Sequence, residues 1–344
     1  GWEKNKQIDL GFDIGIFNAL NVVVDFYKRT SDIVMPANIP NFNGISGSVY
    51  MNAGQIENKG IEIQISATPF KGEFSWETTL SWSKNNNKIL SLANNQNQLA
   101  NAKAGTKWGN VIRNYVGRPM GDMYMLKVIG TFNTEEDLTK YATNGTQGIG
   151  DLIFEDYKKD GTIDVNDYQL VGNYQPDFTF GWTNTFKYKD LDLAVTIDGQ
   201  CGGNVIYAAA RAFSLNRYDD NVLAESGLGR WISPTNTGNG TSHKAGTNNL
   251  GSNIGPSTRY LYDADFLRIR NISLGYTLPK KFCKTIGIEG LRISANVQNL
   301  WTFDKYPGYS VEANYEGNSA TNNGVDFGGY PISRTFTFGL NFNF

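Results

Sequence analysis

The sequence predicts an all-β chain: the C-terminal part of a transmembrane antiparallel β-barrel, with long extracellular loops. Three observations carry that expectation. Segments of about ten residues alternate apolar and polar side chains, as a tilted strand crossing hydrocarbon requires. Short and long connections take turns along the chain, as periplasmic turns and external loops do in such barrels. The final ten residues place Phe336, Phe338, Leu340, Phe342 and Phe344 on one face, with Thr335, Thr337, Gly339, Asn341 and Asn343 on the other. A strand in water seldom gathers four phenylalanines on one side.

The elements follow in order. Residues 7–17 alternate Ile8, Leu10, Phe12, Ile14 and Ile16 with Asp9, Gly11, Asp13 and Gly15. A tight link at 18–20 leads to 21–29, with Val22, Val24 and Phe26 on one side. Residues 55–68 set Ile61, Ile63 and Ile65 against Glu62, Gln64 and Ser66; the turn at 69–72 opens 74–84, where Phe74, Trp76, Leu80 and Trp82 share a face. Strands resume at 177–188 and 191–198 around the link 189–190. Segment 263–278 shifts its apolar phase between Ile269 and Ile272, the mark of a bulge. Segments 291–301 and 335–344 complete nine strands.

The turns at 18–20, 69–72, 189–190 and 279–290 fall on the periplasmic side. The stretches 33–54, 88–176, 203–262 and 304–330 are read as external loops, all within one barrel domain. Counting the apolar run 123–132 as another spanning strand would break the alternation. Within the longest loop, Thr134 and Asp137 form a helix-capping signal. Nine strands cannot close an even-numbered barrel, and open edges in a bilayer leave backbone groups unpaired. Partner strands are therefore expected upstream or on another chain, which agrees with a start at Gly1-Trp2-Glu3 that already reads as mid-fold.

Composition bounds the function. The 38 glycines and 13% aromatic content suit strands joined by polar loops. No run of eighteen apolar residues exists, so no membrane helix is expected. The net charge of −2 and the lack of a Lys/Arg cluster argue against nucleic acid. Cys201 and Cys283 form no metal or redox motif.

The sharpest local motif is 156–167. Asp156, Asp160, Asp164 and Asp167 stand at loop positions one, five, nine and twelve, Gly161 at six, and Thr162 offers its carbonyl at seven. This is the spacing with which oxygen ligands wrap calcium. Lys158 replaces an expected Asp or Asn ligand, and Asp167 is shorter than the usual Glu. The alternative is an Asp/Gly turn in which Asp164 or Asp167 caps a short helical turn. His243 reads as a solvated loop residue, and the pairs Asp219/Asp220 and Asp263/Asp265 as chance neighbours, so no enzyme is expected. Trp108, Tyr115, Tyr124, Tyr141, Trp231 and Tyr309 suit ligand contacts or packing between loops. Trp76, Trp82, Trp182 and Trp301 are assigned to lipid or its interface. Arg268 and Arg270 are expected to be turned to the lumen or lifted clear by the bulge, because facing lipid at mid-bilayer costs about 2–4 kcal/mol. Asp9, Asp13, Glu62, Glu77, Asp192 and Gln298 would line the lumen.

The chain resembles the C-terminal barrel region of the SusC/RagA family of TonB-dependent outer-membrane transporters of Bacteroidetes. The resemblance rests on 58–62, 156–167 with Gly172-Asn173 and 176–178, then 266–276, 324–331 and 334–340, in family order along nearly the whole chain. It implies a 22-stranded barrel, of which nine strands lie here, and a plug with a TonB contact segment, neither of which is in this chain. It also implies a SusD-like surface lipoprotein over the external loops, and import of glycans or peptides across the outer membrane. Phe336, Phe338, Leu340, Phe342 and Phe344 would serve as the assembly signal. A structural or docking barrel in a secretion or adhesion complex, and a soluble calcium-binding lectin-like sandwich, are the other readings.

Overall fold

A computed structural model describes residues 3–17, 19–38, 48–92, 96–99, 102–104, 108–214, 221–246, 253–285, 287–315 and 323–344. The strands are β1 (Asn5–Ile16), β2 (Leu20–Asn38), β3 (Ser48–Phe70) and β4 (Phe74–Leu92). Then come β5 (Ala102–Ala104), β6 (Trp108–Arg113), β7 (Asp122–Met125), β8 (Val128–Thr131), β9 (Leu152–Phe154) and β10 (Gln169–Asn173). They are followed by β11 (Phe178–Tyr188), β12 (Leu191–Cys201), β13 (Asn204–Tyr207), β14 (Leu261–Asp263), β15 (Phe266–Thr277), β16 (Gly290–Asp304), β17 (Val325–Asp326) and β18 (Thr335–Asn343). Nine of them make one antiparallel sheet in the order β1-β2-β3-β4-β11-β12-β15-β16-β18. These are the nine expected spanning strands, and 123–132 holds only most of the short β7 and all of the short β8, both outside that sheet.

The outer face is apolar and stays uncovered. Ile8, Leu10, Phe12 and Ile14 of β1 and Phe336, Phe338, Leu340 and Phe342 of β18 are all exposed, Phe338 at 81%. Among the described residues no second sheet packs over them, which rules out the lectin-like sandwich. Among the described residues no helix is long and apolar enough to cross a membrane. At the short-turn end this face carries a run of rings: Phe70 on Trp76 (6.1 Å), Trp76 on Phe186 (5.9 Å) and Phe74 on Phe186 (6.5 Å). Two indole N–H groups find partners within the face, Trp76 donating to Asn184 Oδ1 at 3.0 Å and Trp182 to Thr78 Oγ1 at 2.9 Å. An unpaired N–H in hydrocarbon would cost several kcal/mol.

Several strands outrun their expected ends. β2 and β3 stay paired from Leu20↔Ala67 to Asn38↔Ser48, through most of the expected loop 33–54, and β4 continues to Leu92. Ladder hydrogen bonds need only backbone, so a strand leaving the lipid can continue with polar residues on both faces. Asn85, Asn86 and Asn87 do so opposite Gly60, Lys59 and Asn58. The phase shift in β15 is a bulge. Ile269 pairs with Ile197 and Asn271 with Thr196, which leaves Arg270 as the extra residue.

The stretches expected as loops fold together into a cap. One core joins Trp108, Val111, Ile112, Met123 and Met125 with Ile206, Tyr260 and Val325, so all three later excursions contribute. Burying each such aliphatic side chain stabilises by about 1.5–3 kcal/mol. β13 pairs with β14 and, in parallel, with β17, tying 203–262 to 304–330. The capping signal forms as read: Thr134 Oγ1 accepts from Asp137 N, and Asp137 accepts from the N–H groups of Asn133 and Thr134, which hold its carboxyl below the ordinary range.

Candidate functional site

Successive strands set side chains level with one another, so alternation within each strand becomes rows across the wall. One inner row runs Asp25, Glu62, Ser83, Thr179, Gln200 and Phe266. Another runs Tyr27, Gly60 and Asn85. Tyr27 lies across Gly60 to donate to Asn85 Oδ1 at 3.0 Å; a Cβ on Gly60 would collide with that ring. Asn85 and Asn87 both donate to Asn58 Oδ1, at 3.1 and 2.9 Å, and Asn87 Oδ1 accepts from Met120 N at 2.9 Å. This amide ladder joins the wall to the cap. Beside it lies a groove of about 320 Å³, lined by Asn58, Ser83, Asn85, Asn87, Tyr174, Gln175, Pro176, Phe178 and Thr179.

The far side of the wall carries ion pairs. Arg268, 3% exposed, reaches Asp198 Oδ2 at 2.7 Å and Glu312 Oε2 at 2.6 Å, and Arg270 meets the same Asp198 oxygen at 2.8 Å. Asp198 and Arg268 are register partners. Both arginines therefore lie on the wet face, as the bulge led us to expect, and Glu312 brings the cap to them. Nearer the short turns, Arg292 passes over Gly275 to grip Asp192 with two bonds of 2.7 and 2.9 Å.

Other expected wall residues fall on the same face. Asp9 accepts from Gln7 at 2.9 Å, Glu77 lies opposite Thr185, and Gln298 opposite Asn271 and Thr335. Asp13 is level with Val23 and Gly15 with Asn21.

The cap corrects one residue reading and decides another between its two alternatives. His243 is 2% exposed rather than solvated, with Nδ1 2.6 Å from Arg259 Nη1. Trp108 is buried in the cap core, 5.0 Å from Tyr260 between ring centroids, and Trp231 donates to Asn133 at 2.8 Å; these two rings pack loops together. Tyr115 meets Tyr124 edge-on, while Tyr309 stays exposed and lines a groove with Arg268 and Trp301. Asp219 and Asp220 lie outside the described residues. Tyr207, Tyr262 and Tyr306 touch edge to face, and Tyr306 donates to Asp326 at 2.6 Å. Burial and that bond push the Tyr306 phenol far up; burial, with Glu225 nearby, pushes Tyr262 up to about 12.

In 156–167 the carboxylates serve the loop itself. Asp156 accepts from the N–H groups of Asp160 and Gly161, Asp160 from Thr162, and Asp164 from Asn166. Asp167 is buried and accepts from Lys158 and Asp164, which makes a capping box on Val165–Asp167. Gly161 has φ +83°, as its turn requires. Among the described residues no three His, Cys, Asp or Glu side chains gather as metal ligands. In this arrangement the carboxylates of Asp156, Asp160, Asp164 and Asp167 are held by N–H groups of their own loop.

A sheet apolar outside, polar within and roofed by its own loops is the wall of an outer-membrane β-barrel. No family model matches the chain. Over its whole length it is 32% identical to TonB-dependent receptor P3 and 30% identical to TonB-dependent receptor P39, both of Formosa agariphila, covering 34% and 36% of those proteins. It is 27% identical to TonB-dependent receptor SusC of Bacteroides thetaiotaomicron, again over its whole length and 32% of that protein. Its fold matches the RagAB peptide transporter with a TM-score of 0.76 at 21% identity, over 99% of this chain and 35% of that one. The RagAB peptide importer in the open-open state matches with a TM-score of 0.74 at 22% identity, over 100% and 35%. The chain belongs with the SusC/RagA-type TonB-dependent receptors as part of their outer-membrane barrel, and spans about a third of the length of these relatives.

Proposed function

We propose that this chain supplies wall and external cap to a nutrient importer that takes up glycans or peptides through the outer membrane. The observation that carries the reading is the two-faced sheet: lipid-facing aromatics outside, and inside an amide- and carboxylate-lined surface continuous with the cap groove. The names of the relatives support TonB-dependent uptake; the family resemblance implies that it is energised through a plug region and that a SusD-like lipoprotein works with the cap. The relatives are receptors and transporters, and we read the chain as performing no covalent chemistry. Calcium at Asp156, Asp160, Thr162, Asp164 and Asp167 is a proposal resting on spacing alone. Uptake of labelled oligosaccharide or peptide by cells carrying the intact protein tests the reading. Uptake should be lost when the partner lipoprotein is deleted; a barrel that serves only docking would leave uptake unchanged.

A further inference from the structure

The link between β15 and β16 is not a bare turn. It contains a helix, Lys280–Thr285, of sequence KKFCKT. Cys283 is its one buried residue, its thiol directed at the Leu278 carbonyl, 3.8 Å away. Lys280, Lys281 and Lys284 are exposed, and among the described residues none makes an ion pair. Phe282 is exposed between them. A six-residue helix that buries one thiol and presents three ammonium groups and a ring has little to gain from the rest of this chain.

Its place in the sheet says what it faces. The strands it joins carry Leu274, Tyr276 and Ile293 outward, all exposed on the lipid side. The helix therefore stands where the lipid-facing surface ends at the short-turn side. The neighbouring short turns have the same character. Lys189 sits 5.4 Å over the Tyr188 ring and 3.1 Å from Glu73, and Phe70, Phe74 and Trp76 form the ring cluster beside it. Rings at the boundary with long cationic side chains reaching past them are how proteins hold a headgroup layer. Unneutralised lysines next to such a surface favour anionic lipid.

We propose that Lys280, Lys281, Lys284 and Phe282 form a docking surface for anionic phospholipid headgroups in the leaflet on the short-turn side. Phe282 enters the headgroup–acyl boundary, and the three lysines pair with phosphate. The site holds the β15–β16 hairpin at a fixed depth and gives this flank its own annular lipid.

The test uses the intact outer-membrane protein that contains this chain. It is reconstituted in nanodiscs of phosphatidylethanolamine with a minority of phosphatidylglycerol, and the lipids it retains on release are read by native mass spectrometry. The unaltered protein should retain phosphatidylglycerol above its share, and added salt should reduce that enrichment. The K280Q/K281Q/K284Q variant should lose about fivefold in enrichment per lysine removed, with phosphatidylethanolamine retention and heat-modifiable gel mobility unchanged. If that variant does not fold, K281Q alone and the salt series on the unaltered protein carry the same readout. Equal enrichment in variant and parent would overturn the proposal. So would an equal fall on neutralising Lys4 and Lys6 at the opposite end of β1. Unchanged lipid with loss of a co-purifying acidic protein would assign the surface to a protein partner instead, and would also overturn it.

Discussion

Arg268 of the barrel wall and Glu312 of the loop above it lie 2.6 Å apart, Nη1 to Oε2, while the other arm of the same guanidinium holds Asp198. One buried cation thus fastens a strand and the cap together. Glu312→Gln should release the cap side and leave the wall intact, at a cost of about 1.5–3 kcal/mol for a charged hydrogen bond. Protease cleavage within 305–315 should quicken while heat-modifiable mobility stays the same. Arg268→Met should cost more than Glu312→Gln, because it removes the bonds to Glu312 and Asp198 together and leaves Asp198 with Arg270 alone. Unaltered cleavage in both variants would refute the latch.

Tyr306 gives the cap an alkaline limit. Its phenol is raised in the fold by burial and by the bond to Asp326, so the neutral form is favoured there. The resulting stability is complete below the unfolded tyrosine value of about 10 and declines as pH rises beyond it. The cap should therefore loosen above about pH 10, as followed by proteolysis of 305–315, and Tyr306→Phe should flatten that dependence. An identical profile in the variant would sink the assignment.

Asp156, Asp160 and Asp164 hold N–H groups of their own loop, and each carboxylate keeps lone pairs for a cation. On the calcium reading, cleavage within 151–173 slows when calcium is added, and Asp160→Ala abolishes the effect. Equal cleavage with and without calcium would leave a self-bonded turn as the whole account.

The outward residues of β18 are proposed to guide insertion. Phe344, 88% exposed and stacked on Phe342 at 6.3 Å, should tolerate neither charge nor deletion. Phe344→Asp in the intact protein is expected to lower the heat-modifiable, membrane-inserted fraction severely. A normal yield would count against an assembly role.

The spanning strands were legible because lipid on one side and water on the other impose a period of two, visible in Ile61 to Ile65 or Phe336 to Phe342. The bulge was legible for the same reason, since the apolar phase slips between Ile269 and Ile272. The heights of β2, β3 and β4 were not, because above the lipid a ladder continues without any side-chain pattern. The cap core was hidden for another reason. Trp108, Ile206, Tyr260 and Val325 are scattered through polar stretches, and only folding gathers them. The partners of Arg268 illustrate both cases: Asp198 follows from alternation across a strand pair, whereas nothing local singles out Glu312.

The 19 residues of β2 and the 23 of β3 have one more consequence. Each runs roughly 60 Å or more, whereas about ten tilted residues suffice to cross the hydrocarbon. The surplus rises as a parapet on this flank, well above the headgroups. On the proposed import reading, a nutrient drifting along the cell surface meets that rise before it reaches the inner face of the wall.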